Sequence, residues 1–328
     1  MENKRFIHKA IRILKGGRIN LLLFGGFYYL ISNKNRFLEK VKFNKIQSKN
    51  ISKKYLIEVN GSRMSIDFKD KGLSKELCVH KKREVFTTDF MQKIIKEDDL
   101  VLDIGANRGY YALLEAKIAQ KGKVYATEPV PSNYENLKEN VLLNNYKNIK
   151  LFHYAVGNIN GKGKMNVCDK ANWCSFTKNP DSNILGEISV PLITLDEFIA
   201  KELANKVPSL IRMDVEGYEC QIVKGMSNLL KSKKPTKILM ELHPYWLNLM
   251  SRKEMNEMIE TLRNNGFNIK SIILEVAPYN YKNIRLINML RKIFWLPQFG
   301  FAGRSYKELY GLLSKEDIYT PQVLFERV

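Results

Sequence analysis

The sequence of 328 residues is longer than one average domain, and 45% of its residues are apolar. This composition supports a large core and excludes wholesale disorder. The formal net charge of +20 is concentrated in two segments: residues 1–54 contain 14 Lys or Arg and 2 Asp or Glu, and residues 277–307 contain 6 Lys or Arg and no acid. Between and after these segments the chain is close to neutral. None of the four cysteines has zinc-ligand spacing, which favours reduced thiols in the cytosol.

Residues 1–54 are predicted to form a basic amphipathic extension ahead of a domain that spans residues 55–328. The longest strongly apolar run, residues 19–31, would extend about 20 Å as a helix, less than the ~30 Å hydrocarbon core of a membrane. No small-residue cleavage site follows this run, so removal as a secretory leader is disfavoured. We expect the extension either to attach to a membrane surface or to pack on the rest of the chain.

The next segments alternate between strand and helix patterns. Apolar and polar residues alternate around Asn60-Gly61, which predicts a β-hairpin over residues 55–70. Further strands are predicted at residues 100–105, 123–129, 149–157, 210–217, 237–244, 269–276 and 320–328. Helices are predicted at residues 109–120, 131–145, 218–231 and 251–266, and residues 157–165 are expected to be irregular. This order predicts an α/β fold with a doubly wound, mostly parallel sheet covered on both faces.

The first strand of this series leads into a glycine-rich turn that contains Asp103, Gly105, Asn107 and Gly109. Such a turn lets backbone N–H groups approach a ligand closely. A nicotinamide fingerprint would need glycine at positions 105, 107 and 110, and a phosphate-binding loop would need a following Gly-Lys-Ser/Thr; both are missing. Glu128 ends the second strand, where a carboxylate can accept hydrogen bonds from both hydroxyls of a ribose. These five residues are the predicted cofactor-binding set.

Acidic residues also follow the fourth strand, in the segment Asp214-Val-Glu216-Gly-Tyr-Glu219, and Glu241 and His243 end the fifth strand. The carboxyl ends of parallel strands meet at one edge of a sheet, where ligands bind. Asp214, Glu216, Glu241 and His243 are therefore predicted to form a catalytic site that orients a general base or binds a divalent metal. Two alternatives stay open: Glu219 stabilises the start of the next helix, and His243 is an ordinary strand-end residue.

Six segments resemble, in order, the FkbM family of S-adenosylmethionine (SAM)-dependent methyltransferases: DIGANRGYYAL, TEPVPSNYENLKENVLLN, AVG, ITLDEF, IRMDVEGYECQIVKG and LMELHP. The resemblance implies a class I methyltransferase, Rossmann-like fold of seven strands with a last antiparallel strand at residues 320–328. It also implies SAM as the cofactor and O-methylation of a hydroxyl on a sugar, a glycan or a related metabolite. Arg212 stands where the family often has Lys, which favours an electrostatic role there over proton handling.

Residues 277–307 form a predicted insertion before the last strand. Like residues 1–54, they mix Lys and Arg with aliphatic and aromatic residues, a composition typical of membrane-interface segments. We therefore expect a cytoplasmic protein with peripheral contact to the anionic inner face of the cell membrane. Nucleic acid is disfavoured as a partner, because aliphatic runs interrupt the basic residues and no Asn-Pro-Pro-Tyr/Phe tetrad follows the fourth strand. RNA methylation and non-catalytic SAM binding remain as alternative functions.

Overall fold

A computed structural model of the chain describes residues 19–49, 54–68, 73–169, 173–177, 183–243, 252–276, 280, 283–293, 299–313 and 320–328. The helices within these ranges are α1 (Ile19–Lys49), α2 (Leu73–His80), α3 (Val85–Ile94), α4 (Tyr110–Ile118), α5 (Pro131–Leu142), α6 (Leu195–Glu202), α7 (Glu219–Lys224), α8 (Ser227–Lys231), α9 (Arg252–Asn264), α10 (Ile284–Ile293) and α11 (Tyr306–Leu313). The strands are β1 (Lys54–Val59), β2 (Ser62–Asp67), β3 (Leu100–Ile104), β4 (Lys123–Thr127), β5 (Ile149–Phe152), β6 (Ala155–Gly157), β7 (Gly161–Cys168), β8 (Ile184–Thr194), β9 (Leu210–Met213), β10 (Thr236–Glu241), β11 (Asn268–Leu274), β12 (Gly300–Gly303) and β13 (Pro321–Arg327).

The central sheet has eight strands in the order β12-β11-β13-β10-β9-β3-β4-β5. Strands β5, β4, β3, β9 and β10 are parallel, and β13 runs antiparallel between β10 and β11. Seven of these strands confirm the predicted doubly wound sheet with an antiparallel last strand. The eighth, β12, was not predicted: it pairs with the outer edge of β11 and lies within the predicted insertion at residues 277–307. Part of that insertion therefore extends the sheet.

Helices cover both faces of the central sheet, as the alternating pattern predicted. On β3, Leu102 and Ile104 face one apolar layer, which contains side chains of α6 to α9 and α11. Val101 faces the opposite layer, which contains side chains of α1 to α5. The period of two along a buried strand explains this split, since successive side chains point to opposite faces.

The predicted hairpin is present as β1 and β2, which pair in antiparallel register from Lys54–Asp67 to Val59–Ser62. Asn60 (φ 53°) and Gly61 (φ 75°) between the strands both have positive φ. A two-residue turn of this type matches the twist of the flanking strands and favours Asn-Gly. The turn is held against the domain by α4, where the Lys117 ammonium donates to the carbonyl of Asn60 at 2.8 Å.

Three predicted elements are wrong in detail. Residues 149–157 form two strands in different sheets, because β5 ends in the central sheet and β6 pairs with β8 in a separate sheet of order β6-β8-β7. The predicted irregular region is largely strand β7. The predicted helix over residues 218–231 is interrupted at Gly225, where a side-chain carbon would lie 2.0 Å from the carbonyl oxygen of Gly157. This close approach of α7 to β6 requires glycine.

Part of the N-terminal extension packs on the domain. Phe43 of α1 is buried in the same apolar layer as Leu73 and Leu77 of α2. Glu39 is also buried; it forms an ion pair with Lys75 (2.8 Å), and its Oε1 lies within hydrogen-bond distance of Nε2 of His80 (3.0 Å). The packing alternative thus accounts for the inward side of α1. Within the residues that the structure describes, none of the helices combines the length and apolar character needed to cross a membrane.

Candidate active site

The predicted site residues lie at the carboxyl edge of the parallel strands. The register of β3 and β9 aligns Asp103 with Arg212 and Ile104 with Met213, so the segments after these strands leave the sheet side by side. The N–H of Asp214 donates to the carbonyl of Ile104 at 3.1 Å, which joins the acidic segment to the glycine turn. The two halves of the predicted site, one for the cofactor and one for the acceptor, are therefore neighbours.

The glycine turn has the backbone geometry that its residues predict. Gly105 has φ 84°, and a side-chain carbon there would lie 2.1 Å from the carbonyl oxygen of Asp214. Asn107 is also left-handed (φ 51°), and Gly109 (φ 94°) precedes the first residue of α4. Glycine at 105 is required twice, by the positive φ and by the close approach of the β9 segment.

Glu128 follows β4 and is held by the glycine turn. Its Oε2 accepts a hydrogen bond from the N–H of Asn107 at 2.8 Å, and its Oε1 accepts one from the N–H of Val130 at 2.9 Å. Burial raises the pKa of Glu128 to about 7, although hydrogen bonds to Val130, Asn107 and Asn133 oppose the shift. The carboxylate is thus fixed in position beside the turn, as a ribose-binding acid should be.

One cavity adjoins both halves of the site. Gly105, Asn107 and Glu128 line it on the cofactor side, and Asp214 and Glu216 line it on the acceptor side. Its apolar wall includes three aromatic residues and two sulfur-containing residues, namely Tyr154, Phe176, Tyr218, Met165 and Cys174. A mostly apolar cavity with a few polar groups suits a small molecule with a planar base. The residues present therefore fit SAM, and the contact of Glu128 with the ribose hydroxyls stays a prediction.

Arg212 links the two halves beneath this cavity. Its Nη1 donates to Oδ1 of Asp103 at 2.9 Å, and its Nη2 donates to Oδ2 of Asp214 at 2.7 Å. The guanidinium carbon lies 4.0 Å from the ring centre of Tyr111, a cation–π contact. Burial disfavours the charged guanidinium, but the two carboxylates outweigh this effect and raise the pKa of Arg212. A planar, forked cation is needed for this double bridge, which supports the predicted electrostatic role.

The bridge gives Asp103 a different position from the one expected of a cofactor ligand. Asp103 is fully buried, and it does not line the cavity. Burial raises the pKa of Asp103 even though Arg212 opposes the shift. Asp214 differs, since Arg212, His243 and Arg83 together outweigh burial and lower its pKa. Cofactor contact by Asp103 stays a prediction, and its observed contact is with Arg212.

His243 lies at the centre of the acceptor half. Its Nδ1 donates to Oε1 of Glu219 at 2.9 Å, and its Nε2 lies 3.4 Å from Oε2 of Glu216 and 3.7 Å from Oε1 of Glu241. Glu241 is held in turn by Gln322, whose Nε2 donates to Oε2 at 2.8 Å. The structure therefore brings Glu216, Glu241 and His243 together. Glu219 also begins α7, so the helix-start alternative and the site role both apply to it.

The charges of this cluster depend on one another. Burial lowers the pKa of His243, but the surrounding carboxylates outweigh this effect and raise it well above the usual value. Burial, together with the charges of Asp214 and Glu219, raises the pKa of Glu216 to about 8, against the opposing effect of His243. Burial and Asp214 raise the pKa of Glu241 as well. These directions favour an imidazolium at His243 and a carboxylate at Asp214, with Glu216 protonated at neutral pH.

The same residues have the chemistry of metal ligands. Asp214, Glu216 and His243 each offer one ligand atom, and these atoms lie within 4.8 Å of one another. Carboxylate oxygens and an imidazole nitrogen suit a divalent cation such as Mn²⁺. Holding a cation there requires His243 to be neutral, since a protonated imidazole cannot act as a ligand.

Sequence reasoning missed a clamp on Glu216. The hydroxyls of Ser175 and Thr177 donate to the carbonyl of Glu216 at 2.7 and 2.9 Å, and Phe176 stacks on Tyr218 with ring centres 4.4 Å apart. Glu216 is itself left-handed, with φ 53°. These clamp residues follow β7 in a segment that has no strand or helix pattern, so the sequence contained no signal for them.

The fold and the site together define a class I SAM-dependent methyltransferase: a parallel sheet with β13 antiparallel between β10 and β11, and a nucleoside-type cavity at its carboxyl edge. The profile described as "Methyltransferase FkbM domain" matches residues 103–269. The chain belongs to this family, which confirms the predicted family, enzyme class and SAM as cofactor. The individual residues that hold SAM remain predictions.

Parts of the chain are similar to known proteins. AglP of Haloferax volcanii, a hexuronic acid methyltransferase, is 28% identical over 144 residues, which cover 42% of this chain and 54% of AglP. The uncharacterized protein MJ1452 of Methanocaldococcus jannaschii is 36% identical over 77 residues, 24% of this chain and 29% of MJ1452. Among solved structures, TYW2 of M. jannaschii in complex with AdoMet is 14% identical with a TM-score of 0.41, covering 85% of this chain and 89% of TYW2. The chain spans about half or less of the two curated relatives.

Proposed function

We propose that the protein transfers the methyl group of SAM to a hydroxyl of a sugar, a glycan or a related metabolite. The observation that carries this proposal is the shared cavity, which is lined by Glu128 on the cofactor side and by Asp214 and Glu216 on the acceptor side. Methyl transfer needs donor and acceptor in line and close together. A cavity lined by both sets of groups would bring the methyl group and the acceptor hydroxyl together.

The acceptor half supplies the groups that a hydroxyl needs. SAM, when bound, provides an activated methyl group, but an alcohol attacks it efficiently only as its proton is removed. Glu216 reaches the cavity and is backed by His243 at 3.4 Å, so we assign it the role of proton acceptor. Glu219 orients His243 through its Nδ1, and Arg212 fixes Asp214. Asp214 would then orient the acceptor through a hydrogen bond.

The acceptor class follows from the charge of this half and from one relative. Four acidic side chains lie near the acceptor position, which disfavours an acceptor that presents a free carboxylate there and favours one that presents a neutral hydroxyl. AglP is a hexuronic acid methyltransferase, which supports a sugar acceptor for this chain; the acids of this half favour a sugar hydroxyl over the carboxyl group that a hexuronic acid also carries. RNA methylation has less support, because the residues that line the cavity carry acid and not the basic groups that bind phosphates.

A divalent metal at Asp214, Glu216 and His243 is a second arrangement of the same side chains. A cation bound there would lower the pKa of a hydroxyl in contact with it. Against this arrangement, Nη2 of Arg212 already bonds Oδ2 of Asp214 at 2.7 Å. The imidazolium of His243 also supplies a positive charge inside the cluster. We therefore propose that the cluster acts without a metal.

Transfer of a radiolabelled methyl group from SAM to cell extract tests the proposal. The extract is divided into lipid, glycan and RNA fractions, and the Glu216→Gln variant serves as the inactive control. We expect label in the glycan or glycolipid fraction with the wild-type protein alone. Label in RNA would contradict the proposed acceptor, and SAM binding without transfer to any fraction would support a non-catalytic SAM-binding protein.

Location at the inner face of the cell membrane is part of the proposal. Both basic segments favour peripheral contact, and a lipid-linked or surface glycan precursor would be presented there. This contact is independent of the chemistry in the cavity, and it can be tested without a known acceptor.

A further inference from the structure

The two basic segments, far apart in the sequence, meet in the structure. Helices α1 and α10 pack against each other, and Asn280, just before α10, joins them by hydrogen bonds. Its Nδ2 donates to Oγ of Ser32 at 2.7 Å, and its Oδ1 accepts from Nδ2 of Asn35 at 2.9 Å. Ser32 and Asn280 are buried. The two helices are therefore in contact, and the bonded side chains lie at their buried sides.

The inward and outward sides of α1 have an unusual distribution of side chains. The inward side is partly polar: Ser32 and Glu39 are buried there beside Phe43. The outward side carries Phe37, 66% exposed, and Val41, about half exposed. A soluble helix normally turns such apolar side chains inward and the polar ones to water.

The outward residues of α1 form a single strip. Phe37 and Val41 are four residues apart, and Leu38, also about half exposed, lies beside them. Lys34 and Lys45 are exposed at the two ends of this strip, at positions that the helical period places on the same side. The strip therefore combines bulky apolar side chains with flanking positive charge.

Helix α10 repeats this combination. Met289, 52% exposed, and Leu286 point to solvent together with Arg285 and Lys292. Arg291 behaves differently: it is buried, and its guanidinium carbon lies 4.1 Å from the ring centre of Phe299. The outward side of α10 is thus apolar and basic, while its inward arginine is used for packing.

We propose that these outward sides form a docking surface for an anionic membrane, the basic-apolar face, made of Lys34, Phe37, Leu38, Val41, Lys45, Arg285, Leu286, Met289 and Lys292. The sequences of α1 and α10 contain a single acidic residue, Glu39, which is buried and paired with Lys75. No negative charge of these helices therefore opposes anionic headgroups. The apolar side chains match the acyl boundary, into which amphipathic helices insert by a few ångströms.

Other occupants fit this face less well. A nucleic acid would match the charge but would leave Leu38, Val41 and Met289 without an apolar partner. A second copy docked by two-fold symmetry would bring the same patch against itself, so that lysines would face lysines. A lipid surface satisfies both the charge and the apolar side chains.

The face is connected to the acceptor edge of the sheet. Strand β11 runs parallel to β10, since both are antiparallel to β13, so it ends at the edge where the acids lie. Glu275 follows β11 and accepts a hydrogen bond from the N–H of Phe86 at 3.4 Å. Helix α10 comes next in the chain. Because α10 begins nine residues after Glu275, at Ile284, docking through α10 would keep this edge within about 30 Å of the lipid surface.

Vesicle flotation with the full chain tests the proposal. Phosphatidylcholine vesicles are compared with vesicles that also contain phosphatidylglycerol. We expect the protein to float only with the anionic vesicles and to be released by salt. A Phe37→Glu, Val41→Glu double variant should bind at least about 30-fold less, because each unit charge at an anionic surface changes the partition about fivefold.

The matched control is Leu142→Glu, which alters an equally exposed leucine (69%) at the end of α5 and should float like the wild type. Thermal unfolding and SAM binding of each variant report folding and the active site separately. The proposal is overturned if the wild type fails to float with anionic vesicles, or if the double variant floats equally well. The proposal is also overturned if the wild type and the control variant are dimers and the double variant is a monomer, because the face would then bind a second copy of the chain.

Discussion

Replacement of Glu128 by Gln examines the cofactor site directly, because it keeps the size of the side chain but removes its negative charge and one of its hydrogen-bond acceptors. Each carboxylate oxygen accepts a backbone N–H, from Asn107 at 2.8 Å and from Val130 at 2.9 Å. A carboxamide has one oxygen and one NH₂ donor. One of these two N–H groups would therefore face another donor in the variant.

The size of the effect can be worked out from these contacts. A hydrogen bond to a charged group contributes about 1.5–3 kcal/mol, and the carboxamide can replace at most one of the acceptors that Glu128 offers to the ribose. We expect the Kd of SAM to rise about 10- to 150-fold. The protein without SAM should lose about 1–3 kcal/mol in free energy of unfolding, because a buried N–H loses its acceptor.

The pH dependence gives a second readout. Since burial raises the pKa of Glu128 from 4.5 to about 7, the ionised form that accepts both ribose hydroxyls is lost as the pH falls below about 7. The Kd of SAM should rise over that range. In the absence of SAM the folded state binds one more proton than the unfolded chain between these two pH values. The contribution of Glu128 to the free energy of unfolding therefore falls as the pH rises from 4.5 to about 7.

Isothermal titration calorimetry across this pH range measures the affinity, and thermal unfolding measures the stability. The control is Glu135→Gln, a chemically identical change at an exposed position on α5, with 69% side-chain exposure, which should alter neither quantity. If Glu128→Gln binds SAM with wild-type affinity at pH 8, Glu128 does not bind the ribose and the assignment of the cofactor half is wrong.

Three further predictions concern the acceptor half. Glu216→Gln should abolish methyl transfer and leave the Kd of SAM unchanged. The kcat of the wild type should rise with pH up to about 8, because Glu216 accepts a proton only in its ionised form. A kcat that does not change with pH would exclude Glu216 as the proton acceptor. Ser175→Ala with Thr177→Val should lower kcat about tenfold, since the left-handed Glu216 loses both hydroxyls that hold its carbonyl; unchanged kcat would make this clamp irrelevant. Treatment with EDTA should leave transfer intact, whereas lost activity that Mg²⁺ or Mn²⁺ restores would put a metal at Asp214, Glu216 and His243.

The strand ends were predictable because strong local signals define them. The buried strands β3, β4, β9 and β10 each end next to polar residues that a strand interior would not tolerate. In a parallel sheet these ends meet at one edge, so Glu128, Asp214 and His243 could be assigned to one region without coordinates. The Asn60-Gly61 turn was predictable for a similar reason. A two-residue turn between antiparallel strands needs positive φ at its central residues, and Asn-Gly is the pair that adopts it most readily.

Pairings between side chains could not be predicted in the same way. Glu219 and His243 lie 24 positions apart, and their contact depends on how α7 packs against the end of β10. The Asp103–Arg212 ion pair depends on the register of β3 with β9, which an apolar strand does not specify. Strand β7 was missed because its Gly-Lys-Gly-Lys start conceals the alternation of apolar residues. The clamp of Ser175 and Thr177 was missed because the segment after β7 has no strand or helix pattern.

The acidic segment of this basic protein can now be divided by contact. Asp214 pairs with Arg212 at 2.7 Å, and Glu219 pairs with His243 at 2.9 Å, so each of these two acids has a buried partner. Glu216 differs, because it lines the cavity, has a left-handed backbone and needs two hydroxyls to hold its carbonyl. A non-glycine residue in this conformation costs about 1–3 kcal/mol, and such strain clusters at functional sites. Of the three acids, Glu216 is therefore the one whose position is best explained by catalysis.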